Sequence, residues 1–316
     1  MDTQVPESTI VEMARMLEMR GKGGHPTVLF LGGRTGGLFR SQNLYKIIRP
    51  FAIRTLNGLS RTEQFGECFK VLREKGFGET ELDIIFTASL EGLEVSRADS
   101  CLAELIKQKL FDVVISTNID DLLERALEHV NMRASLDDFY VHIPKRNNPT
   151  FAGMQRTFTF VKAFGDKEAH EYRMKEEFYL NGDKDLKEDL QSYLERDILM
   201  IGFDPTWDQE IDDIYPLEGK SLWYVDEQLP ADSSRIWRAL HHRQGSRYIK
   251  GVPGTYDSFM QELHNCLIGR GPLSHELVRE MFNQLQEIRE VAVQIRNDIS
   301  QLQTWVQELR TTRRES

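Results

Sequence analysis

The sequence predicts a doubly wound α/β fold, a parallel sheet with helices on both faces. Three observations predict it: short apolar runs of strand length, amphipathic helical stretches between them, and a glycine turn straight after the first run. That run, Thr27-Val28-Leu29-Phe30-Leu31, is apolar throughout, as a fully buried parallel strand requires, and it enters Gly32-Gly33. Ahead of it, Ile10, Met13 and Leu17 recur at helical spacing, which predicts a helix over about 8–20. Residues 41–110 read as an inserted helical layer, clearest at 62–75 and 97–110. Asp112 to Ser116 is a second buried strand, with a helix from Asp121 to His129. Further apolar runs at 158–161, 198–201, 222–225 and 247–249 alternate with helical stretches at 186–196, 233–242 and 256–267. Ligands on such sheets bind at the carboxyl ends of the strands, so the informative positions follow the runs: Gly32, Asn118, Phe164 and Gly202.

Composition narrows the function classes. With 316 residues, of which 40% are hydrophobic, the chain can bury the core of one large domain and an appendage. A net charge of -10 argues against bulk electrostatic binding of nucleic acid. Cys68, Cys101 and Cys266 are far apart and odd in number, forming neither a disulfide framework nor a paired zinc motif, which points to a reducing cytoplasm. The N-terminus does not read as a secretion signal, and no stretch approaches the roughly 18 apolar residues needed to cross a bilayer. The expectation is a cytoplasmic protein free of the membrane.

Four strand-end segments then stand in a telling order: Leu-Gly-Gly-Arg-Thr-Gly-Gly at 31–37, Ser-Thr-Asn-Ile-Asp at 116–120, Val-Lys-Ala-Phe-Gly-Asp at 161–166 and Ile-Gly-Phe-Asp-Pro-Thr-Trp-Asp at 201–208. Together they resemble the sirtuin superfamily over about 10–270, and more closely the zinc-free sirtuin-like proteins that hydrolyse NAD in prokaryotic antiphage defence. The resemblance implies NAD or an ADP-ribose-type nucleotide as ligand. It assigns Gly32, Gly33, Arg34, Asn118, Asp120, Gly202 and Asp226 to binding, and Asn118 and Asp120 to the chemistry at the nicotinamide ribose. Asn118 offers donors and an acceptor and Asp120 an acceptor, which suits a carboxamide and ribose hydroxyls. Either residue is also a common N-cap between a strand and a helix.

The departures from that pattern are informative. The family's Gly-Ala-Gly-x-Ser has Arg34 at its third position and Gly36 at its fifth. Arg34 either meets a phosphate as a charged fork or is exposed on a tight turn. The family's Lys-x-His-Gly keeps Lys162 and Gly165 but holds Phe164 in place of the histidine that acts as base or orients water. Phenylalanine does neither. His170 sits in a charged, solvent-facing stretch, and His142, after a candidate strand, is the better stand-in. Asp204 replaces a serine that faces phosphates, where a carboxylate repels them, and Asp226 can accept from a ribose. No cysteine lies between Phe164 and Gly202, so the zinc ribbon of the deacylases has no ligands and no metal is expected.

After Gly271-Pro272 the pattern changes. Val278, Met281, Leu285, Ile288, Ala292, Ile295, Ile299, Leu302, Val306 and Leu309 alternate steps of three and four, the seam of a coiled coil. At about 1.5 Å per residue such a helix extends roughly 50 Å. Residues 271–316 therefore form a second segment, pairing with another copy or a partner helix, or folding back on the first domain.

The leading functional expectation is a catalytically degenerate nucleotide-binding module, a sensor or scaffold in a defence assembly with an effector protein. The alternatives are an NAD glycohydrolase that depletes NAD on activation, and an interaction protein whose sheet has lost its ligand. Loss of a general base costs about 10²- to 10⁴-fold, which leaves the hydrolase open.

Overall fold

The computed structural model describes residues 5–52, 56–134, 139–142, 158–172 and 184–269. The heptad seam, Val278 to Leu309, lies outside them. The compact unit that carries the sheet runs through Leu267.

The strands are β1 (Thr27–Leu31), β2 (Phe111–Ser116), β3 (Phe139–His142), β4 (Phe158–Lys162), β5 (Gly165–Asp166), β6 (Glu171–Tyr172), β7 (Ile198–Ile201), β8 (Leu222–Val225) and β9 (Arg247–Ile249). Seven form one parallel sheet in the order β3-β4-β2-β1-β7-β8-β9, and β5 and β6 make a separate antiparallel hairpin. The chain winds outward from β1 through β2 to β3 and β4, then crosses back to lay β7 on the other side of β1. That reversal between β1 and β7 is the topological switch point of a doubly wound sheet, where the connections leave in opposite directions and open a crevice. Gly32 follows β1 there and Gly202 follows β7.

The helices are α1 (Ile10–Lys22), α2 (Gly37–Arg40), α3 (Asn43–Ile48), α4 (Arg61–Glu74), α5 (Glu79–Leu90), α6 (Arg97–Lys107), α7 (Leu122–His129), α8 (Lys184–Leu194), α9 (Gln209–Ile214), α10 (Arg235–His242) and α11 (Tyr256–Leu267). Several begin where a short polar residue can bond a free N–H: Thr9, Ser60 and Ser96 each form a capping box with the acid three residues on. Along β1 every residue is buried, because side chains alternate between two helical layers. Val28 and Phe30 join a core with Ile198, Met200, Leu222 and Tyr224 against Leu190, Leu194 and Leu240.

The helical insertion is narrower than the expected 41–110. Helix α3 packs on both α4 and α5, but α6 packs on α7 and α11. It buries Ala98, Leu102, Leu105 and Ile106 and serves as the crossover helix that delivers the chain to β2. The seventh strand, β3, is the other addition, pairing along its length with β4.

Candidate functional site

The glycine turn is held shut by the protein's own acceptors. Gly32 N–H donates to Ile201 O at 2.9 Å and Arg34 N–H to Gly202 O at 2.9 Å, so the turn continues the sheet's hydrogen bonding past the strand ends. Gly33 N–H donates to Asp208 Oδ2 at 3.0 Å and Gly37 N–H to Asp120 Oδ2 at 2.7 Å. Thr35 N–H reaches Gly32 O and Gly36 N–H reaches Gly33 O. Each backbone donor from Gly32 to Gly37 is thus satisfied, two of them by carboxylates where a pyrophosphate would offer oxygens. The glycines serve close packing instead. A Cβ on Gly33 would lie 2.6 Å from the Trp207 ring, and Gly202, at φ 64°, would drive one to 2.6 Å from Thr35 Cγ2.

Asn118 and Asp120 are brought to this turn, and both are engaged. Asn118 Nδ2 donates to Thr35 Oγ1 at 2.9 Å and to Gly32 O and Ser116 Oγ at 3.2 Å each, lashing the end of β2 to the turn after β1. Asp120 takes Gly37 N–H with one oxygen and Leu122 N–H with the other, capping α2 from a distance and α7 locally. Beneath them Lys162 is almost wholly enclosed. Its ammonium donates to Glu124 Oε1 at 2.7 Å, to Asp120 O at 2.6 Å and to Asp166. Burial works against that charge, yet the Glu124 and Asp166 carboxylates outweigh it and hold the ammonium above its usual range. This lysine ties β4 to the loop after β2.

Phe164 is 2% exposed and faces Trp207, with ring centroids 6.0 Å apart. Trp207 meets Phe69 at 4.6 Å and Phe65 at 5.7 Å between ring centroids in tilted contacts, and its Nε1 donates to Thr117 O at 3.0 Å. Phe164 thus belongs to an aromatic cluster with Trp207, Phe69 and Phe65. His170 is exposed, bonded to Asp83 on α5 rather than facing Asn118, and His142 is the last residue of β3.

Arg34 is neither exposed nor free. Its side chain, 19% accessible, spans the ends of β7 and β8: Nε donates to Asp204 Oδ2 at 3.1 Å, and Nη1 to both oxygens of Asp226 at 3.2 Å. The expected repulsion at Asp204 is thereby neutralised, and its other oxygen caps the turn by accepting from Thr206 and Trp207 N–H. Burial pushes the Asp226 carboxyl up to about 6, with Arg34 opposing the rise.

Asp208 was not among the sequence candidates, although it stands four residues past Asp204 in the same segment. It is fully buried, accepting from Gly33 and Asp204 N–H and from the Thr117 hydroxyl, and burial raises its carboxyl to about 7 against those bonds. Two acids spaced at i and i+4 after a buried strand were the available signal.

Open space lies on the other side of Arg34. A cavity of about 600 Å³ is bounded by α4 through Thr62, Glu63 and Lys70 and by Asp204 and Gln228, and a second of about 330 Å³ by Arg40, Arg61, Asp226 and Tyr256. Arg34 lines both. Among the described residues, no cluster of three His, Cys, Asp or Glu side chains is arranged to hold a metal ion. Nor is any helix there long and apolar enough to cross a membrane.

No protein-family model matches the chain, and no curated protein matches it. Among solved structures, one from work on the mechanism and regulation of Sir2 enzymes is similar to 82% of this chain and 96% of its own, at 14% identity and a TM-score of 0.36.

Proposed function

We propose that this chain is a sirtuin-like module that binds a phosphate-bearing nucleotide, of the NAD or ADP-ribose type, without hydrolysing it, and acts as a sensor or scaffold. The observation that carries the reading is that the hydrolytic half of the pocket is complete without a ligand. The glycine-turn donors, Asn118 and Asp120 are all bonded internally, and Phe164 packs on Trp207. As the turn stands, a dinucleotide pyrophosphate finds no unpaired N–H there, so NAD does not fit in the manner of an active family member. The cleft on either side of Arg34 is nucleotide-sized and lies at the carboxyl end of the sheet, the general place for such ligands.

The setting is a defence assembly, as the motif resemblance implies, with the heptad segment from Val278 to Leu309 recruiting a second copy or an effector's helix. Fluorogenic NAD cleavage by wild type and Asn118→Ala at matched concentration tests the reading, beside calorimetry with ADP-ribose. The expected result is binding with little or no turnover. Robust wild-type turnover that vanishes in Asn118→Ala would replace the proposal with an NAD glycohydrolase. In the same preparations, Ile295→Glu with Leu302→Glu should dissociate the assembly in light scattering while the sheet domain stays folded.

A further inference from the structure

Arg34 stands with Thr62 and Glu227 where the two cavities of the open cleft meet, and it is the only cation of the three. It lines both cavities, and its guanidinium bridges the carboxylates of Asp204 and Asp226, which are themselves nearly inaccessible at 2% and 5%. The two cavities differ in charge. Around the larger, Glu63, Glu67, Asp204 and Glu227 face Arg34 and Lys70, an acidic balance. Around the smaller, Arg34, Arg40 and Arg61 stand with Asp226, Glu227 and Asp257. One of those arginines, Arg40, carries a buried donor without a partner among the described residues. Arg40 uses Nη1 on Asp99 at 2.7 Å, but its buried Nε has no hydrogen-bond partner. Arg61 donates to the backbone carbonyls of Phe39 and Arg40 over the Phe39 ring.

A guanidinium shared between two acids is an anion receptor already occupied on two of its three nitrogens, Nε and Nη1. A phosphate that grips Nη1 and Nη2 together must displace Asp226 from Nη1, because Asp204 sits on Nε and is also needed to cap the turn before Asp208. We propose that Arg34 is a latched phosphate receptor. The ligand's phosphate replaces Asp226 on the guanidinium and points into the arginine-lined smaller cavity, while an uncharged or cationic portion fills the larger. This rests on the nucleotide reading and gives it a polarity and a control: the ligand competes with an internal carboxylate, so acid that protonates Asp226 unlatches the site.

The groups facing Asp226 are Arg34 from the glycine turn, Tyr224 from β8, Tyr248 from β9 and the neighbouring Glu227, with Asp204 beyond Arg34. Burial pushes both tyrosines upward, and they stay neutral near pH 7. Among the described residues no histidine lines either cavity. Asp208, with its carboxyl raised to about 7, is the other nearby group that titrates in this range, and the variants separate the two.

The test is calorimetry on the full chain with ADP-ribose, adenosine and inorganic pyrophosphate, using wild type, Asp226→Asn and Arg34→Gln. Wild type should bind ADP-ribose about tenfold more tightly near pH 5.5 than near pH 7.5, the effect of roughly one pK unit of competition. Asp226→Asn should reach the tighter value at both pH values. Arg34→Gln should lose ADP-ribose and pyrophosphate yet keep adenosine. If Arg34→Gln loses its fold in a melting control, the wild-type pH dependence and the near-isosteric Asp226→Asn still decide. A pH slope that persists in Asp226→Asn, or ADP-ribose binding indifferent to both substitutions, overturns the latch and leaves the nucleotide reading standing. Pyrophosphate binding that follows Asp226 and Arg34 without any nucleoside binding upholds the latch and overturns the nucleotide. Silence of every probe on every variant overturns both.

Discussion

The carboxyl end of this sheet has two halves built on opposite principles. Beneath β1, β2 and β4 the donors are matched to internal acceptors: Asp208 on Gly33, Asp120 on Gly37, and the Lys162 ammonium on Glu124, Asp166 and a carbonyl. Between α4 and β8 the charges are paired directly at the edge of open space, through Arg34 with Asp204 and Asp226. Buried donors left unpaired are unfavourable by about 1–3 kcal/mol each, so a segment that supplies its own carboxylates keeps its shape without a ligand. The lesson is that polar residues at a strand's carboxyl end can serve the architecture: Asn118 and Asp120 fasten the end of β2 to the glycine turn through the protein's own groups.

The sharpest way to break that comparison is Lys162→Met. If the closed half is a mutually dependent unit, removing the cation strands Glu124 and Asp166 and should destabilise the fold by about 3–5 kcal/mol in denaturant unfolding. A loss of only a few tenths would show that the cluster is not what holds the loop. Next in size is Phe164→His, which places an imidazole against Trp207 in a site 2% exposed. It should lower stability by about 1–3 kcal/mol and, alone, leave NAD cleavage at the wild-type level. Turnover above the wild-type level would mean that the aromatic cluster opens easily.

The smallest effect concerns Asp208. Its carboxyl is raised to about 7 in the fold, against the usual aspartate value of about 3.9 in the unfolded chain, so between those values the native state binds more protons than the unfolded chain. Its contribution is therefore fully present below about pH 4 and is lost as pH rises toward 7, with a slope of at most about 1.4 kcal/mol per pH unit. Unfolding free energies near pH 5 and pH 7 should differ less in Asp208→Asn than in wild type. An unchanged difference would assign the slope elsewhere and remove Asp208 from the account of the closed half.

Much of this was legible from local pattern. The runs at 27–31, 198–201, 222–225 and 247–249 coincide with β1, β7, β8 and β9, and the helix expected over 256–267 is α11. Fully buried strands and amphipathic helices announce themselves because burial restricts each residue along them. The edge strand β3 is four residues long and gains its hydrogen bonds from β4 alone, a relation invisible in its own composition. Helix α6 shares its amphipathic pattern with α4, and only packing on α7 and α11 assigns it to the sheet's helical layer.

The sequence by itself determined the doubly wound class, the places where strands end, and the presence of an arginine and two acids just past those ends. Tertiary structure decided what those residues do. Arg34 is 170 positions from Asp204 and 192 from Asp226, and Gly33 is 175 from Asp208. A charge read alone is either a ligand contact or a repulsion; its pairing depends on which strand ends the sheet order places side by side, because hydrogen bonds and ion pairs act over about 3–4 Å while that order is set by the packing of the whole core.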